Sequence, residues 1–319
     1  PAGDWCTYDT PLNGVRAPSY HQINFQYRPG TPELNCCSVN GPRTLGMLSE
    51  WAVMRDAKGL VVNFYGPGVS EVALEDGTRV RLTQKTEYPV DGRVNVIVDP
   101  EKPASFALRL RVPAWSAKTE VRVNGTAASE TPTAGSYLTL DRAWKAGDLV
   151  EANFDMTPRI QAGGAPDRGG RAAIHVGPLL LAFDPFFNEG ETPDLKAVNG
   201  AALALERIPV TLQADAMHFP PMALWRTTTD DGATIVLCDF ASAGAHGTDY
   251  AAWIPVSHLP PLASSLVYPP AGAVGAPSPM LLRWTASGAA DETYDLAVAQ
   301  DAAFADVVVD QKGLSESRL

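Results

Sequence analysis

The sequence predicts a mostly β protein, with one helix near the start of the chain followed by antiparallel β-sandwich domains. Beyond residue 59, apolar and polar residues alternate with period two in several short runs, which is typical of half-buried strands. Turn dipeptides containing glycine separate these runs. Before residue 59, one segment has the spacing of an amphipathic helix.

The helix is predicted over residues 42–57. Asn40 is a suitable N-cap, and Pro42 falls in the first turn, where its missing N–H costs nothing. An apolar stripe at helical spacing follows, formed by Leu45, Leu48, Trp51 and Ala52. Gly59 then supplies a glycine stop. A single helix buries nothing alone, so we expect residues 1–58 to be the remnant of a larger helical body.

Residues 59–160 are predicted to form a β-sandwich. Alternating runs occur at 106–112, 120–124 and 150–156. Four turn dipeptides lie in the same region: Asp76-Gly77, Asp91-Gly92, Asn124-Gly125 and Gly147-Asp148. Short strands with such turns between them indicate an antiparallel sandwich.

Two further β-rich segments are expected after a loop rich in Gly, Pro and Asp. The first spans residues 161–258, and a proline-rich stretch then marks a boundary. Residues 259–319 restart the alternation, with Trp284 on one strand and Tyr294 on the next. This last segment holds too few strands for a fibronectin-III or immunoglobulin-like sandwich of ~100 residues. We therefore expect a truncated module of that kind.

Composition narrows the possible partners. The formal net charge of −11 argues against binding to nucleic acid, because proteins that bind nucleic acid carry a basic surface. The same charge favours a neutral or cationic ligand. No stretch approaches the roughly 20 apolar residues that a membrane span requires. Because the chain begins at Pro1 without a methionine, the lack of a signal peptide at its start is uninformative.

Cys36 and Cys37 are the most informative residues. Adjacent cysteines do not bond to each other readily, because disulfide geometry requires Cα atoms about 4.4–6.8 Å apart. The pair therefore indicates a thiolate site, either for a metal or for nucleophilic chemistry, although two inert buried thiols are the simpler alternative. Cys6 and Cys238 are interpreted as bystanders, with Cys238 a buried strand residue.

Two polar residues near the pair are candidate substrate ligands. His21 precedes the cysteines in an irregular stretch, and Arg43 follows them in the expected first turn of the helix. His21 could reach a metal or a ligand bound near the pair, and Arg43 could donate hydrogen bonds to a ligand hydroxyl or to a carboxylate near the site. A surface role is the alternative for His21, and a structural role is the alternative for Arg43.

A resemblance to the β-L-arabinofuranosidase family, glycoside hydrolase family 127, rests on several motifs in order. They are YDTPLNG (8–14), NCCSVNGPR (35–43), FALRLRVPAW (106–115), VRVNG (121–125) and AWKAGD (143–148). The resemblance covers the chain through about residue 258. It implies an N-terminal (α/α)6 barrel that carries the catalysis, with the predicted helix as its last part, followed by β-sandwich domains. Ser38 and Val39 replace the Pro-Pro of many relatives, which leaves the substrate subgroup open.

The resemblance also implies a zinc site. In the family a glutamate and three cysteines hold Zn²⁺, and the first cysteine of the adjacent pair attacks the sugar. Carried onto this chain, Cys36 is nucleophile and zinc ligand, and Cys37 is a zinc ligand. The other ligands, a Glu-x-Cys unit, and the acid/base glutamate are expected upstream of residue 1, so this chain alone is expected to be inactive.

The expected function is retaining hydrolysis of L-arabinofuranoside-type side chains of plant glycans, in the periplasm or outside the cell. The alternative is a non-catalytic β-sandwich protein that binds carbohydrate or serves as a scaffold, in which the cysteine pair is incidental. The sequence upstream of Pro1 distinguishes the two, because only the enzyme requires a long helical segment with a Glu-x-Cys unit there.

Overall fold

The structure is a computed structural model that describes residues 10–16, 36–162, 170–190, 192–210, 220–259, 266–269, 281–284, 293–301 and 303–316. Within these ranges the chain forms 24 strands and one α-helix, so the prediction of a mostly β protein is confirmed. None of the described helices is long and apolar enough to span a membrane.

The helix α1 (Cys36–Trp51) begins and ends earlier than predicted. Pro42 and Asn40 therefore lie inside it, and the assignment of Asn40 as N-cap is wrong. Residues expected in its last turn instead form strand β2 (Val53–Asp56), which pairs with β3 (Gly59–Val62).

The turn between these two strands explains the error in the predicted helix end. The Asp56 carboxylate accepts the backbone N–H groups of Lys58 and Gly59 at 2.9 and 3.2 Å, which closes a tight turn. Val53 and Val62 are buried on the paired strands. A glycine after an apolar stripe thus marks a hairpin here and not a helix C-terminus.

Eight further strands follow β3: β4 (Gly68–Ala73), β5 (Arg79–Thr86), β6 (Arg93–Pro100), β7 (Ala104–Arg111), β8 (Glu120–Val123), β9 (Thr126–Ala127), β10 (Tyr137–Trp144) and β11 (Asp148–Asn153). The strands from β2 to β11 form two sheets that enclose one hydrophobic cluster, here called the two-sheet region. The four-stranded sheet has the order β10-β7-β3-β2, and the six-stranded sheet has the order β4-β5-β6-β11-β8-β9.

The predicted alternation is visible in the burial of these strands. On β6, Val94, Val96 and Val98 are fully buried while their neighbours are more exposed, as expected for a strand with one face on a core. Trp144 is also fully buried, and its indole N–H donates to the Phe106 carbonyl oxygen at 3.0 Å. The predicted turn at Asn124-Gly125 is confirmed, because both residues have positive φ, at 51° and 78°.

A ten-stranded sheet forms the second large region. Its strands are β1 (Asn13–Val15), β12 (Arg159–Ala162), β13 (Arg171–Val176), β14 (Leu179–Phe183), β15 (Val198–Asn199), β16 (Glu206–Ile208), β17 (Leu224–Thr228), β18 (Thr234–Asp239), β19 (Asp249–Ala251) and β20 (Ile254–Ser257). Seven of them follow the order β15-β20-β13-β14-β18-β17-β16, and β1, β12 and β19 pair with strands of this sheet outside that order. Short 3-10 helices occupy Pro185–Phe187, Thr192–Asp194 and Gly200–Ala202.

The described C-terminal residues form two small antiparallel pairs. Strand β21 (Leu266–Tyr268) pairs with β22 (Arg283–Trp284), and β23 (Tyr294–Ala299) pairs with β24 (Val307–Leu314). The rings of Trp284 and Tyr294 meet edge to face, with centroids 5.5 Å apart. The truncated immunoglobulin-like module and the predicted domain boundaries stay predictions.

Candidate functional site at the start of helix α1

The two cysteines occupy the first turn of α1. Their backbones therefore lie in the helix, whereas the sequence predicted a helix that begins after them, at residue 42. The first backbone N–H groups of a helix and its dipole favour negative charge. The side chains of Cys36 and Cys37 lie outside the described ones, as does His21.

Hydrogen bonds attach the far end of α1 to the two-sheet region. The side-chain amide of Asn63 donates to the Trp51 carbonyl oxygen at 3.0 Å, and the backbone N–H of Asn63 donates to the Ala52 carbonyl oxygen at 2.9 Å. The Tyr137 hydroxyl donates to the Asn63 side-chain oxygen at 2.6 Å. Asn63 thus bonds the chain at the end of the cysteine-bearing helix to the two-sheet region.

Arg43 lies on the exposed surface of α1. Leu45 is 69% exposed on the same helix, so the described residues leave this part of the apolar stripe uncovered, whereas Trp51 and Ala52 at its other end are half-buried. The structure therefore leaves the proposed substrate contact of Arg43 as a prediction.

Cys238 is a core residue, as predicted. It is fully buried on β18, and its Sγ donates to the Ala182 carbonyl oxygen at 3.6 Å. Burial raises the pKa of this thiol well above its usual value, and the nearby Asp184 and Asp239 carboxylates add to the increase. A protonated, enclosed thiol is unreactive. Cys6 lies outside the described residues.

Two buried carboxylates beside Cys238 were not anticipated from the sequence. Asp184 accepts the backbone N–H groups of Phe186 and Gly244 at 2.9 and 2.8 Å and the Thr248 hydroxyl at 2.6 Å. Asp239 accepts bonds from the Met222 N–H, at 2.7 Å, and from Ser242. Because these acceptors are occupied by donors of the protein itself, we interpret both as structural. The Asp-Pro pair at 184–185, a common turn signal, could have indicated the first.

We expect Asp184→Asn to lower the free energy of unfolding by about 2 kcal/mol, because an amide N–H₂ would face donors and leave at least one of them unsatisfied. Urea unfolding followed by circular dichroism measures the change. Asp231→Asn is the matched control, since Asp231 makes similar turn bonds on the exposed surface. An equal decrease in the free energy of unfolding for the two variants would show that the burial of Asp184 does not make its substitution more costly.

The described side chains can be compared with the ligands that a zinc ion requires. Among the side chains that the structure describes, no group of three or more His, Cys, Asp or Glu could hold a metal ion. Cys36 and Cys37 fit such an ion by chemistry, because thiolates are preferred zinc ligands. Two thiolates form half of a tetrahedral set, so further ligands would be required.

The region after α1 matches a known family of protein domains. Residues 59–156 match the model of the beta-L-arabinofuranosidase GH127 middle domain. This match covers nearly all of the two-sheet region. No curated protein sequence matches the chain.

Solved structures share the fold over most of the chain. A glycoside hydrolase has a TM-score of 0.60 and 22% identity, covering 79% of this chain and 44% of its own. A GH127 beta-L-arabinofuranosidase from Geobacillus stearothermophilus T6 has a TM-score of 0.62 and 18% identity, covering 80% and 43%. A GH127 beta-arabinofuranosidase has a TM-score of 0.54 and 22% identity, covering 77% and 41%.

The chain thus spans less than half the length of these three solved chains. At such identities the structures establish a shared fold. The residues matched by the family model lie directly after the helix that opens with the cysteine pair. The resemblance found in the sequence is therefore confirmed for residues 59–156, which match the GH127 middle domain, and the solved structures show the same fold over about four-fifths of the chain.

Proposed function

We propose that the full-length protein is a retaining glycoside hydrolase that removes L-arabinofuranoside-type side chains from plant glycans. The observation that carries this proposal is the GH127 middle domain at residues 59–156, which follows a helix beginning with Cys36 and Cys37. The net charge of −11 suits a neutral sugar better than an anionic one.

Cys36 and Cys37 would hold zinc, together with ligands from the sequence upstream of residue 1. Bound zinc keeps coordinating thiols deprotonated at neutral pH. The helix N-terminus at the same position favours the same ionised state, because its free N–H groups and dipole stabilise negative charge.

In the proposed reaction, the Cys36 thiolate attacks the anomeric carbon and forms a C–S bond. The glycosidic C–O bond breaks, and the departing oxygen takes a proton from a carboxylic acid upstream of residue 1. The resulting carboxylate then removes a proton from water, whose oxygen attacks the same carbon and breaks the C–S bond. Two displacements restore the original anomeric configuration.

In this scheme the acid/base carboxylate belongs to the sequence upstream of residue 1, so the 319-residue chain does not contain it. We therefore propose that the chain alone does not hydrolyse arabinofuranosides. Hydrolysis of an aryl β-L-arabinofuranoside by the isolated chain, abolished by Cys36→Ala, would contradict the upstream position of that group.

The proposed nucleophile can be identified by trapping. Full-length protein mixed with an aryl β-L-arabinofuranoside and quenched in acid should carry one pentosyl group on Cys36 by peptide mass mapping. Cys238 is the internal control and should stay unmodified, because it is enclosed in the core. Turnover without any adduct on the cysteine pair, in a quench that preserves a synthetic thioglycoside standard, would overturn the assignment.

A further inference from the structure

The two-sheet region and the ten-stranded sheet meet at the turn between β13 and β14. Trp115 packs against the core of the two-sheet region, and Met156 packs against the core of the ten-stranded sheet. Both side chains lie beside Gly177 in that turn, because a Cβ atom on Gly177 would be 2.5 Å from the Met156 sulfur and 3.5 Å from the Trp115 ring. These three residues are here called the Gly177 junction.

Arg159 holds this junction together. It lies on β12, and its guanidinium donates to the Gly177 carbonyl oxygen at 2.6 Å. The guanidinium carbon also lies 5.9 Å from the centre of the Trp115 ring, within the range of a cation–π contact. One side chain thus bonds a turn of the ten-stranded sheet and contacts an aromatic ring that belongs to the other region.

His175 lies directly opposite Arg159. The two residues are partners in the antiparallel pairing of β12 with β13, so their side chains are neighbours on the same face of the sheet. Both are half-buried, and the Nε of Arg159 is enclosed without a hydrogen-bond partner among the described residues. Above a pH of about 6.5 the pair is a neutral histidine beside a charged arginine. Below that pH, protonation places two positive charges side by side.

The groups around His175 were compared for charges that change over the same range of pH. On β14 the residue opposite His175 is Leu180, which carries no charge. Asp155 acts on Arg159, but hydrogen bonds from Thr157 lower the pKa of Asp155, which therefore stays ionised at pH 5. Burial, and then the charge of Arg159, lower the pKa of His175. Protonation of His175 is thus resisted by the folded chain.

We propose that His175 is an acid-sensitive switch: once protonated, it repels Arg159 and loosens the Gly177 junction between the two-sheet region and the ten-stranded sheet. The folded chain takes up a proton on His175 less readily than the unfolded chain does. Its contribution to stability is therefore complete above a pH of about 6.5 and is lost as the pH falls below that value. This inference does not depend on the proposed function, and the 319-residue chain is sufficient to test it.

Hydrogen–deuterium exchange, followed by mass spectrometry, measures the opening of the junction. At pH 5 we expect peptides covering residues 154–160 and 175–181 to exchange about two-fold faster or more in the wild type than in His175→Gln. Glutamine keeps a polar side chain but cannot be protonated in this range. At pH 7.5 the two proteins should exchange equally. Strands β5 and β6, which lie in the two-sheet region, should exchange alike in both proteins at either pH.

Two further variants separate this repulsion from other effects of acid. His258→Gln is the same substitution at an exposed histidine and should keep the wild-type difference between pH 7.5 and pH 5. Arg159→Gln removes the other charge, and NMR titration of the His175 ring should then give a higher pKa than in the wild type. Circular dichroism at pH 7.5 establishes that each variant is folded.

The same pH dependence of junction exchange in the wild type and in His175→Gln overturns the proposal. Exchange that rises equally at the junction and in β5 and β6 also overturns it, because acid would then destabilise the whole chain. An unchanged pKa of His175 in Arg159→Gln has the same consequence, since the arginine would then exert no repulsion on the imidazolium.

Discussion

Replacing Cys36 with alanine in the full-length protein is expected to lower turnover of an aryl β-L-arabinofuranoside by about 10⁴-fold or more, since no other group would form the covalent intermediate. The variant should keep its fold, because the substitution removes one sulfur atom at a helix N-terminus. Steady-state kinetics and circular dichroism measure the two effects.

Two further cysteine substitutions make this result specific. Cys238→Ala is the same chemical change in a buried strand and should leave turnover within a few-fold of the wild type. Cys37→Ala should mainly reduce the zinc content, measured by metal analysis of the purified protein, and turnover should fall with it. Wild-type turnover in the Cys36 variant would exclude this residue as the nucleophile.

Replacing Gly59 with alanine is expected to lower the free energy of unfolding by about 3–5 kcal/mol. The φ angle of Gly59 is +149°, where side chains are rarely tolerated. A Cβ atom there would overlap the backbone oxygen of Ala107 and lie 2.9 Å from its nitrogen. The two residues face each other in the parallel pairing of β3 with β7, so neither backbone can move aside without breaking the sheet.

Gly77→Ala is the matched control for this substitution. Gly77 also has a positive φ, of 84°, but its Cβ would point into open space. Backbone strain alone should cost about 1 kcal/mol there. Urea unfolding followed by tryptophan fluorescence compares the two, and similar losses would show that the contact with Ala107 is unimportant.

The strands were predictable wherever one face of a sheet meets the core. Val94, Val96 and Val98 alternate in burial because side-chain direction alternates along a strand, and the sequence shows the same period. The turn at Asn124-Gly125 was predictable because few residues tolerate two successive positive φ angles. These are local rules, which apply without knowledge of the partner strand.

The errors arose where a distant partner decides the local structure. Val53 and Met54 fall within the helix predicted over residues 42–57, yet they pair with Val62 and Val61 in a hairpin. Strand β1 has no alternating pattern of its own and exists through its bonds to β19. The prediction of a site at the cysteine pair rests on residue type and flanking motifs, whereas a contact such as that of Arg16 with Phe240 depends on residues 224 positions apart.

The pairing of β1 with β19 makes the ten-stranded sheet discontinuous in sequence, with α1 and the two-sheet region inserted between its first strand and the rest. During synthesis at about 5–20 residues per second, β1 would leave the ribosome on the order of tens of seconds before β19. The inserted region can fold in that interval, but β1 cannot pair with β19 until β19 has also left the ribosome. A protein shortened to begin after Arg16 would lack β1 and would leave the unpaired edge of β19 exposed. Aggregation of such a protein would therefore result from the missing strand and not from an unstable sheet.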